Sequence, residues 1–94
     1  MSRGVVGWYR RRRLERELTG LWRAALRREK IGRRQRFLDL GGDSIAALRI
    51  VAAVEERLGT SLSVGVLMET QTIAGMADHI ERHSRAGRGP SHDE

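Results

Sequence analysis

This chain of 94 residues repeats its apolar residues at the spacing of an α-helix in three separate segments. The segments are Arg10–Glu29, Ser44–Leu58 and the stretch that follows Thr72, a residue able to cap a helix. A shorter apolar segment, Val64–Glu69, has room for one or two helical turns. The sequence therefore predicts an all-α fold: a compact four-helix bundle with three main helices, one short helix and a long loop between helices 1 and 2.

The length suffices for one small core, so we expect a single domain over residues 9–83, with flexible tails at residues 1–8 and 84–94. Residues 1–8 show no period, and the last residues, SRAGRGPSHDE, are polar and rich in glycine. No apolar run approaches the ~20 residues of a membrane span, and the N-terminal charges follow a short apolar patch, the wrong order for a secretory signal. We expect a cytoplasmic protein. The absence of cysteine excludes disulfides, thiolate metal sites and a cysteine nucleophile.

The stretch FLDLGGDSIAAL, residues 37–48, joins the long loop to the second helix. Gly41 and Gly42 allow a tight turn there, and Asp43 is a good N-cap residue for the helix that follows. The apolar residues that precede the turn lack a helical period, and we expect them to anchor the loop to the core: Ile31, Phe37, Leu38 and Leu40.

Ser44 begins the second helix, and its role decides the function. The letters GDSI resemble the serine motif of the GDSL hydrolases, but that motif belongs after a strand in a longer chain, and such a nucleophile needs a base held by an orienting acid. The histidines are His79, His83 and His92, the last in the predicted tail. A phosphate-binding loop fits no better, because the glycine spacing and the lysine are missing.

Two interpretations of the role of Ser44 remain. The residue could merely begin a helix, as serine often does. Because Asp43 already fills the capping role, however, the hydroxyl of Ser44 is left free on the first turn, where backbone N–H groups and the helix dipole favour an anion. The second reading is therefore a modification site that carries a phosphodiester.

The stretch from Arg36 to Glu81 resembles the core of the peptidyl carrier proteins of nonribosomal peptide synthesis, and with the first helix the resemblance covers about residues 12–82. The residues that carry it are Phe37, the tetrad in Leu40-Gly41-Gly42-Asp43-Ser44-Ile45, Gly59, Leu67-Met68 and Thr72-Ile73-Ala74-Gly75-Met76-Ala77. The chain shows no flanking catalytic domain, so we expect a discrete, free-standing carrier.

This resemblance implies a four-helix bundle without catalytic activity of its own, and we expect a monomer. In the family, a phosphopantetheinyl transferase uses Mg²⁺ to move 4′-phosphopantetheine from coenzyme A onto the serine, here Ser44, with Asp43 in a supporting role. An adenylation enzyme then loads an amino or aryl acid as a thioester, and condensation or tailoring enzymes receive it. The arm supplies the thiol, so the protein needs no cysteine.

Apolar residues near Ser44 have two interpretations: partial burial under the loop, or a hydrophobic contact for the transferase and loading enzymes. The family resemblance supports the second, and Leu67 also fits the core. The predicted docking residues are Ile45, Leu48, Val64, Leu67 and Met68.

The N-terminal part of the chain is basic and the rest is mildly acidic. Residues 1–36 have a balance of +10 and residues 37–94 a balance of −4, within a net charge of +6. The first helix is basic, and three readings stay open for it: a solvated face, docking to an acidic partner, or nucleic-acid binding. The loop sequence GRRQR, Gly32–Arg36, departs from the family, where this stretch is usually neutral or acidic.

Two side-chain features favour structural roles. His79 and His83 stand at i, i+4 as a possible metal pair, but no third ligand is evident, which favours surface histidines and no metal site. Trp22 is expected to pack in the core.

Two other functions fit the sequence less well. An acyl carrier of the polyketide or fatty-acid type commonly shows GxDSL and a strongly acidic second helix, whereas Arg49 and Arg57 here balance Glu55 and Glu56. A small DNA-binding helical domain needs a basic recognition helix, and the last two helices are not basic. We therefore expect neither a nucleic-acid nor a membrane partner.

Overall fold

The computed structural model describes residues 2–87, and side-chain exposure for residues 7–83. Four helices follow one another along the chain: α1 (Ser2–Leu26), α2 (Ser44–Leu58), α3 (Val64–Thr70) and α4 (Ile73–Gly87). A 3-10 turn, Leu38–Leu40, lies in the loop between α1 and α2. Residues 2–87 contain no strand, so the predicted all-α four-helix bundle is confirmed. None of the helices in this range is long and apolar enough to cross a membrane.

Short polar side chains start α2, α3 and α4. The Asp43 carboxylate accepts a hydrogen bond from the Ala46 N–H at 2.9 Å, and the Ser63 hydroxyl accepts one from the Val66 N–H at 3.1 Å. The predicted cap Thr72 accepts from the Gly75 N–H at 2.9 Å. Each bond satisfies a backbone donor that the first turn leaves without an intrahelical partner.

Helix α1 begins at Ser2, although its start was predicted near Arg10 and residues 1–8 were expected to be a loose tail. The periodic pattern could not reveal this extension, because Trp8 and Tyr9 are exposed and so add nothing to the apolar face. Extending an existing helix by one residue costs far less than nucleating a new one. The domain limits at residues 9 and 83 remain predictions, and residues 88–94 of the expected C-terminal tail lie outside the described residues.

Helix α1 also ends earlier than its predicted limit at Glu29. Arg27 adopts a left-handed conformation with φ +56°, and the Arg28 N–H donates back to the Arg23 carbonyl at 3.2 Å. This closure satisfies a carbonyl of the last helical turn without a glycine.

Trp22 and Phe37 are the largest side chains of the core, and both are fully buried. Their rings meet edge to face, with centroids 5.5 Å apart. Leu38 is exposed, so its predicted role as an anchor of the loop is wrong. A 3-10 turn has about three residues per turn, so Phe37 and Leu40 face the core together and Leu38 faces solvent. The other buried apolar residues are Leu18, Ala46, Ala47, Ile50, Val54, Leu62, Leu67, Ile73, Ala74, Met76, Ala77 and Ile80.

An ion-pair network joins α1 to α4 and to the loop. The Glu15 carboxylate accepts hydrogen bonds from Arg33 at 2.5 and 2.6 Å and from Arg11 at 2.6 Å. Arg11 also reaches Asp78 at 2.8 Å and Glu81 at 3.1 Å. The hydrogen bonds with Arg33, opposed by burial and reinforced by Arg11, lower the pKa of Glu15 from 4.5 to about 2.

We expect Glu15→Gln to lower the free energy of unfolding by about 1 kcal/mol at neutral pH, because two arginines lose their shared carboxylate. Since folding lowers the pKa of Glu15, the contribution of the carboxylate is complete above pH 4.5 and is lost as the pH falls toward 2. The stability difference between wild type and variant should therefore shrink over this range. Urea unfolding at a series of pH values measures it. Glu17→Gln is the control, because exposed Glu17 makes no ion pair with the described residues, and parallel profiles for wild type and Glu15→Gln would contradict the prediction.

Candidate modification site

Ser44 is the first residue of α2, and its side chain is exposed. Asp43 precedes it in an extended conformation, with φ −137° and ψ −176°, and caps the helix with its own carboxylate. The Ser44 hydroxyl makes no hydrogen bond with any residue in the described part of the chain. Because Asp43 performs the capping, the Ser44 oxygen is available for chemistry.

The backbone around Ser44 suits an anion. The Ala46 N–H is taken by the Asp43 side chain, and the Ala47 N–H by the Asp43 carbonyl at 2.9 Å. The N–H groups of Ser44 and Ile45 make no hydrogen bond within residues 2–87. Two open donors at the positive end of a helix dipole stabilise negative charge beside them. These residues therefore fit a phosphodiester attached to the Ser44 oxygen.

A tight turn before Asp43 fixes where the helix starts. Gly41 has φ +88°, a conformation that glycine adopts without strain, and its N–H donates to the Leu38 carbonyl at 3.2 Å. The Gly42 N–H donates to the Phe37 carbonyl at 3.0 Å. A Cβ atom on Gly42 would overlap with the Phe37 ring. The two glycines are thus needed for different reasons, one for its conformation and the other for the close approach of an aromatic ring.

Gln71 is a residue of this region that the sequence patterns missed. It is buried between α3 and α4 with φ +58°. Its side-chain oxygen accepts from the Leu38 N–H at 3.2 Å, and its side-chain nitrogen donates to the Met68 carbonyl at 3.0 Å. Its backbone carbonyl accepts from the Phe37 N–H at 2.6 Å. Gln71 therefore connects the turn before Ser44 to α3, and a glutamine between two helical patterns was the only sign of it in the sequence.

The predicted docking residues occupy different environments. Ile45 and Leu48 are each 60% exposed, so the alternative that they are covered by the loop is not what the structure shows. Val64 and Met68 of α3 are partly buried. Leu67 is fully buried in the core, where it offers no surface to a partner. An exposed apolar pair thus lies on the first turns of α2 beside Ser44.

The histidine pair lies on α4. The rings of His79 and His83 stack with centroids 3.8 Å apart. Burial, together with the neighbouring charges of His83 and Arg82, lowers the pKa of His79, so a neutral ring is favoured. Within residues 2–87, no group of three or more His, Cys, Asp or Glu side chains is arranged to hold a metal ion. His92 lies outside the described residues.

Comparison with known proteins gives a consistent result. Residues 16–80 match the family described as "Phosphopantetheine attachment site". The chain is 39% identical over 67 residues to a dimodular nonribosomal peptide synthase of Bacillus subtilis. The aligned region covers 71% of this chain but only 3% of that protein. The chain thus spans a small fraction of the length of such curated relatives.

Two solved structures are also similar. BlmI, a type-II acyl-carrier-protein from Streptomyces verticillus involved in bleomycin biosynthesis, superposes with a TM-score of 0.81 at 42% identity, over 89% of this chain and 99% of that one. McyG A-PCP complexed with phenylalanyl-adenylate superposes with a TM-score of 0.67 at 27% identity, over 70% of this chain and 10% of that one.

We expect Gly42→Ala to lower the free energy of unfolding by roughly 1–3 kcal/mol, because the added methyl group displaces the buried Phe37 ring. Gly20→Ala is the matched control. A Cβ at this position in α1 meets no atom within 4 Å, so alanine should raise stability by up to about 1 kcal/mol. Chemical denaturation of both variants measures the effect. A Gly42→Ala protein as stable as wild type would show that Phe37 has room to move.

Proposed function

Because the chain belongs to the phosphopantetheine attachment family, whose members carry covalently bound 4′-phosphopantetheine, we propose that it is a peptidyl carrier protein with the arm on Ser44. When bound, this group supplies a thiol that holds an aminoacyl or related acyl group as a thioester. The chain itself contains no cysteine. Its role would be to present that acyl group to the enzymes of nonribosomal peptide biosynthesis, and its similarity to BlmI supports a free-standing carrier.

The observation that carries this proposal is the free hydroxyl of Ser44 on the first turn of α2. Asp43 holds the helix start without using that oxygen, and the Ser44 and Ile45 N–H groups are open to a phosphodiester. Among the described residues, neither His79 nor His83 makes a hydrogen bond with Ser44, whereas a catalytic serine needs a base within hydrogen-bond reach. Both observations favour Ser44 as an attachment point over a catalytic nucleophile.

The proposed partners follow from this role. A Mg²⁺-dependent phosphopantetheinyl transferase would modify Ser44, an adenylation enzyme would load the acyl group, and condensation or tailoring enzymes would receive it. Similarity to McyG A-PCP, solved with phenylalanyl-adenylate, supports the adenylation partner. The exposed pair Ile45 and Leu48, with Val64 and Met68, forms the proposed docking surface for these enzymes. Leu67 is left out because it is buried.

The decisive experiment is intact mass after incubation with coenzyme A, Mg²⁺ and a promiscuous phosphopantetheinyl transferase. We expect the wild type to gain one phosphopantetheine, Ser44→Ala to gain none, and the control Ser61→Ala, altered at another exposed serine, to react as wild type. An unmodified wild type that is folded, beside a carrier that the same transferase does modify, would contradict the proposal. Modification of Ser44→Ala would place the arm elsewhere.

A second candidate is an acyl carrier of the polyketide or fatty-acid type, which the description of BlmI as an acyl-carrier-protein favours. Against it, Arg49 and Arg57 are exposed on α2 and offset the exposed Glu55 and Glu56. Loading separates the two candidates. A peptidyl carrier accepts an amino or aryl acid that an adenylation enzyme has activated with ATP, whereas an acyl carrier accepts a malonyl group that a malonyl transferase moves from malonyl-coenzyme A, with release of coenzyme A.

We expect Ile45→Ala and Leu48→Ala each to lower kcat/KM of the transferase by about 5- to 30-fold, mainly through KM, because each removes an exposed apolar contact beside the acceptor serine. Tyr9→Ala is the control, since Tyr9 is 64% exposed but lies on α1. The melting temperature should change little in all three variants. The prediction is contradicted if Tyr9→Ala lowers kcat/KM as much as the α2 variants do, or if both α2 variants have the kinetics of the wild type. Either result would show that the transferase does not recognise this surface.

A further inference from the structure

The N-terminal half of α1 presents a basic surface that attachment at Ser44 does not use. Trp8, Arg12 and Arg16 line a cleft of about 560 Å³ between this helix and the loop residues Ile31 and Arg33. We call it the basic cleft. Trp8 is 55% exposed, although aromatic residues make up only 4% of the chain. Tryptophan, tyrosine and arginine are enriched at protein interfaces relative to the rest of the surface, so an exposed Trp8 among arginines favours a contact surface.

The arginines of the basic cleft are of two kinds. Arg11 and Arg33 both pair with the Glu15 carboxylate, and Arg11 also pairs with Asp78 and Glu81, so carboxylates within the protein compensate the charge of these two arginines. Hydrogen bonds with Glu15 raise the pKa of Arg33. Arg12 and Arg16 are exposed and make no ion pair with the described residues. They stand one helical turn apart, so both guanidinium groups lie along the same face of α1.

Trp8 and Arg12 form a local unit. The Arg12 guanidinium lies 4.9 Å from the centroid of a Trp8 ring, a cation–π distance, and the Tyr9 ring meets Trp8 edge to face with centroids 5.2 Å apart. These contacts restrict the tryptophan and the arginine before any partner arrives. Binding to a restrained pair costs less conformational entropy than binding to two mobile side chains.

The side chains that line the basic cleft favour an acidic peptide segment as its binding partner. Two unpaired cations at i, i+4 complement two carboxylates, and the exposed indole complements an apolar side chain between them. A continuous row of phosphates suits the cleft less well, because Glu15 lines it and the half-exposed Asp78 lies against Arg11. A concave cleft between a helix and a loop also fits a protruding peptide segment better than a flat lipid surface.

We propose that the basic cleft docks an acidic segment of a partner protein, one that carries two carboxylates and an apolar side chain. This surface shares no residue with the docking surface proposed on α2 and α3. A partner could therefore hold the protein by α1 while another site engages Ser44. A contact of this size provides weak, reversible binding, which suits repeated exchange of partners.

The test uses NMR titration of the full ¹⁵N-labelled chain with a synthetic helical peptide that carries two glutamates at i, i+4 between leucines. We expect shifts at Trp8, Thr19 and Ile31, and about tenfold weaker binding for Arg12→Ala combined with Arg16→Ala. Trp8→Ala should also bind about tenfold less tightly. The matched control is Arg10→Ala with Arg13→Ala, which removes the same charge from exposed positions outside the cleft and should change the affinity by less than about twofold.

Three further probes decide between the occupants: the same peptide with glutamines in place of the glutamates, a short DNA duplex, and phosphatidylglycerol vesicles. Weaker binding of all three at physiological salt supports the proposal. It is overturned if any of them binds as tightly as the glutamate peptide, if the control pair loses as much affinity as the cleft pair, or if the glutamate peptide does not bind. Repeating the titration with Ser44→Ala keeps the result independent of phosphopantetheine attachment, and melting temperatures confirm that each variant is folded.

Discussion

Burial of Phe37 holds the long loop between α1 and α2 in place, and the position of Ser44 depends on it. The ring is fully buried and packs edge to face on Trp22 of α1. The backbone of the same residue is fixed on both sides: its N–H donates to the Gln71 carbonyl at 2.6 Å, and its carbonyl accepts from Gly42 at 3.0 Å. One residue thus ties the turn before α2 to α1 and to the junction of α3 and α4.

This arrangement explains how a small bundle can hold an exposed hydroxyl at a defined position. The helix start is capped by Asp43, and the turn before it is held by Phe37, so Ser44 stands on a fixed first turn while its own side chain stays unrestrained. The apolar residues needed for the core are on the other side of α2, at positions such as Ile50 and Val54. Ile45 and Leu48 are therefore free to face a partner without weakening the core.

The sequence predicted α2 fully because its signals are local: Asp43 caps the start, Gly59 closes the end with φ +67°, and an apolar period runs between them. Leu38 was misplaced because the 3-10 turn, which sets its direction, leaves no periodic signal in three residues. Gln71 was missed because two of its hydrogen-bond partners, Phe37 and Leu38, are more than thirty residues away in the sequence. Contacts of that kind depend on tertiary packing, which one sequence does not display.

The ion pairs that join α1 to α4 and to the loop also depend on tertiary packing and could not be predicted from the sequence. The sequence gives a charge balance of +10 over residues 1–36, which left three interpretations of the first helix open, although no nucleic-acid partner was expected. The folded chain uses part of this charge internally, since Arg11 and Arg33 pair with Glu15, and Arg11 with Asp78. What α1 offers to a partner in the basic cleft is therefore a pair of arginines beside a tryptophan, not a uniform cationic helix. Ion pairing within the protein compensates some of these charges and leaves Arg12 and Arg16 at a defined spacing. A strongly basic segment can therefore select a partner whose carboxylates have a matching spacing.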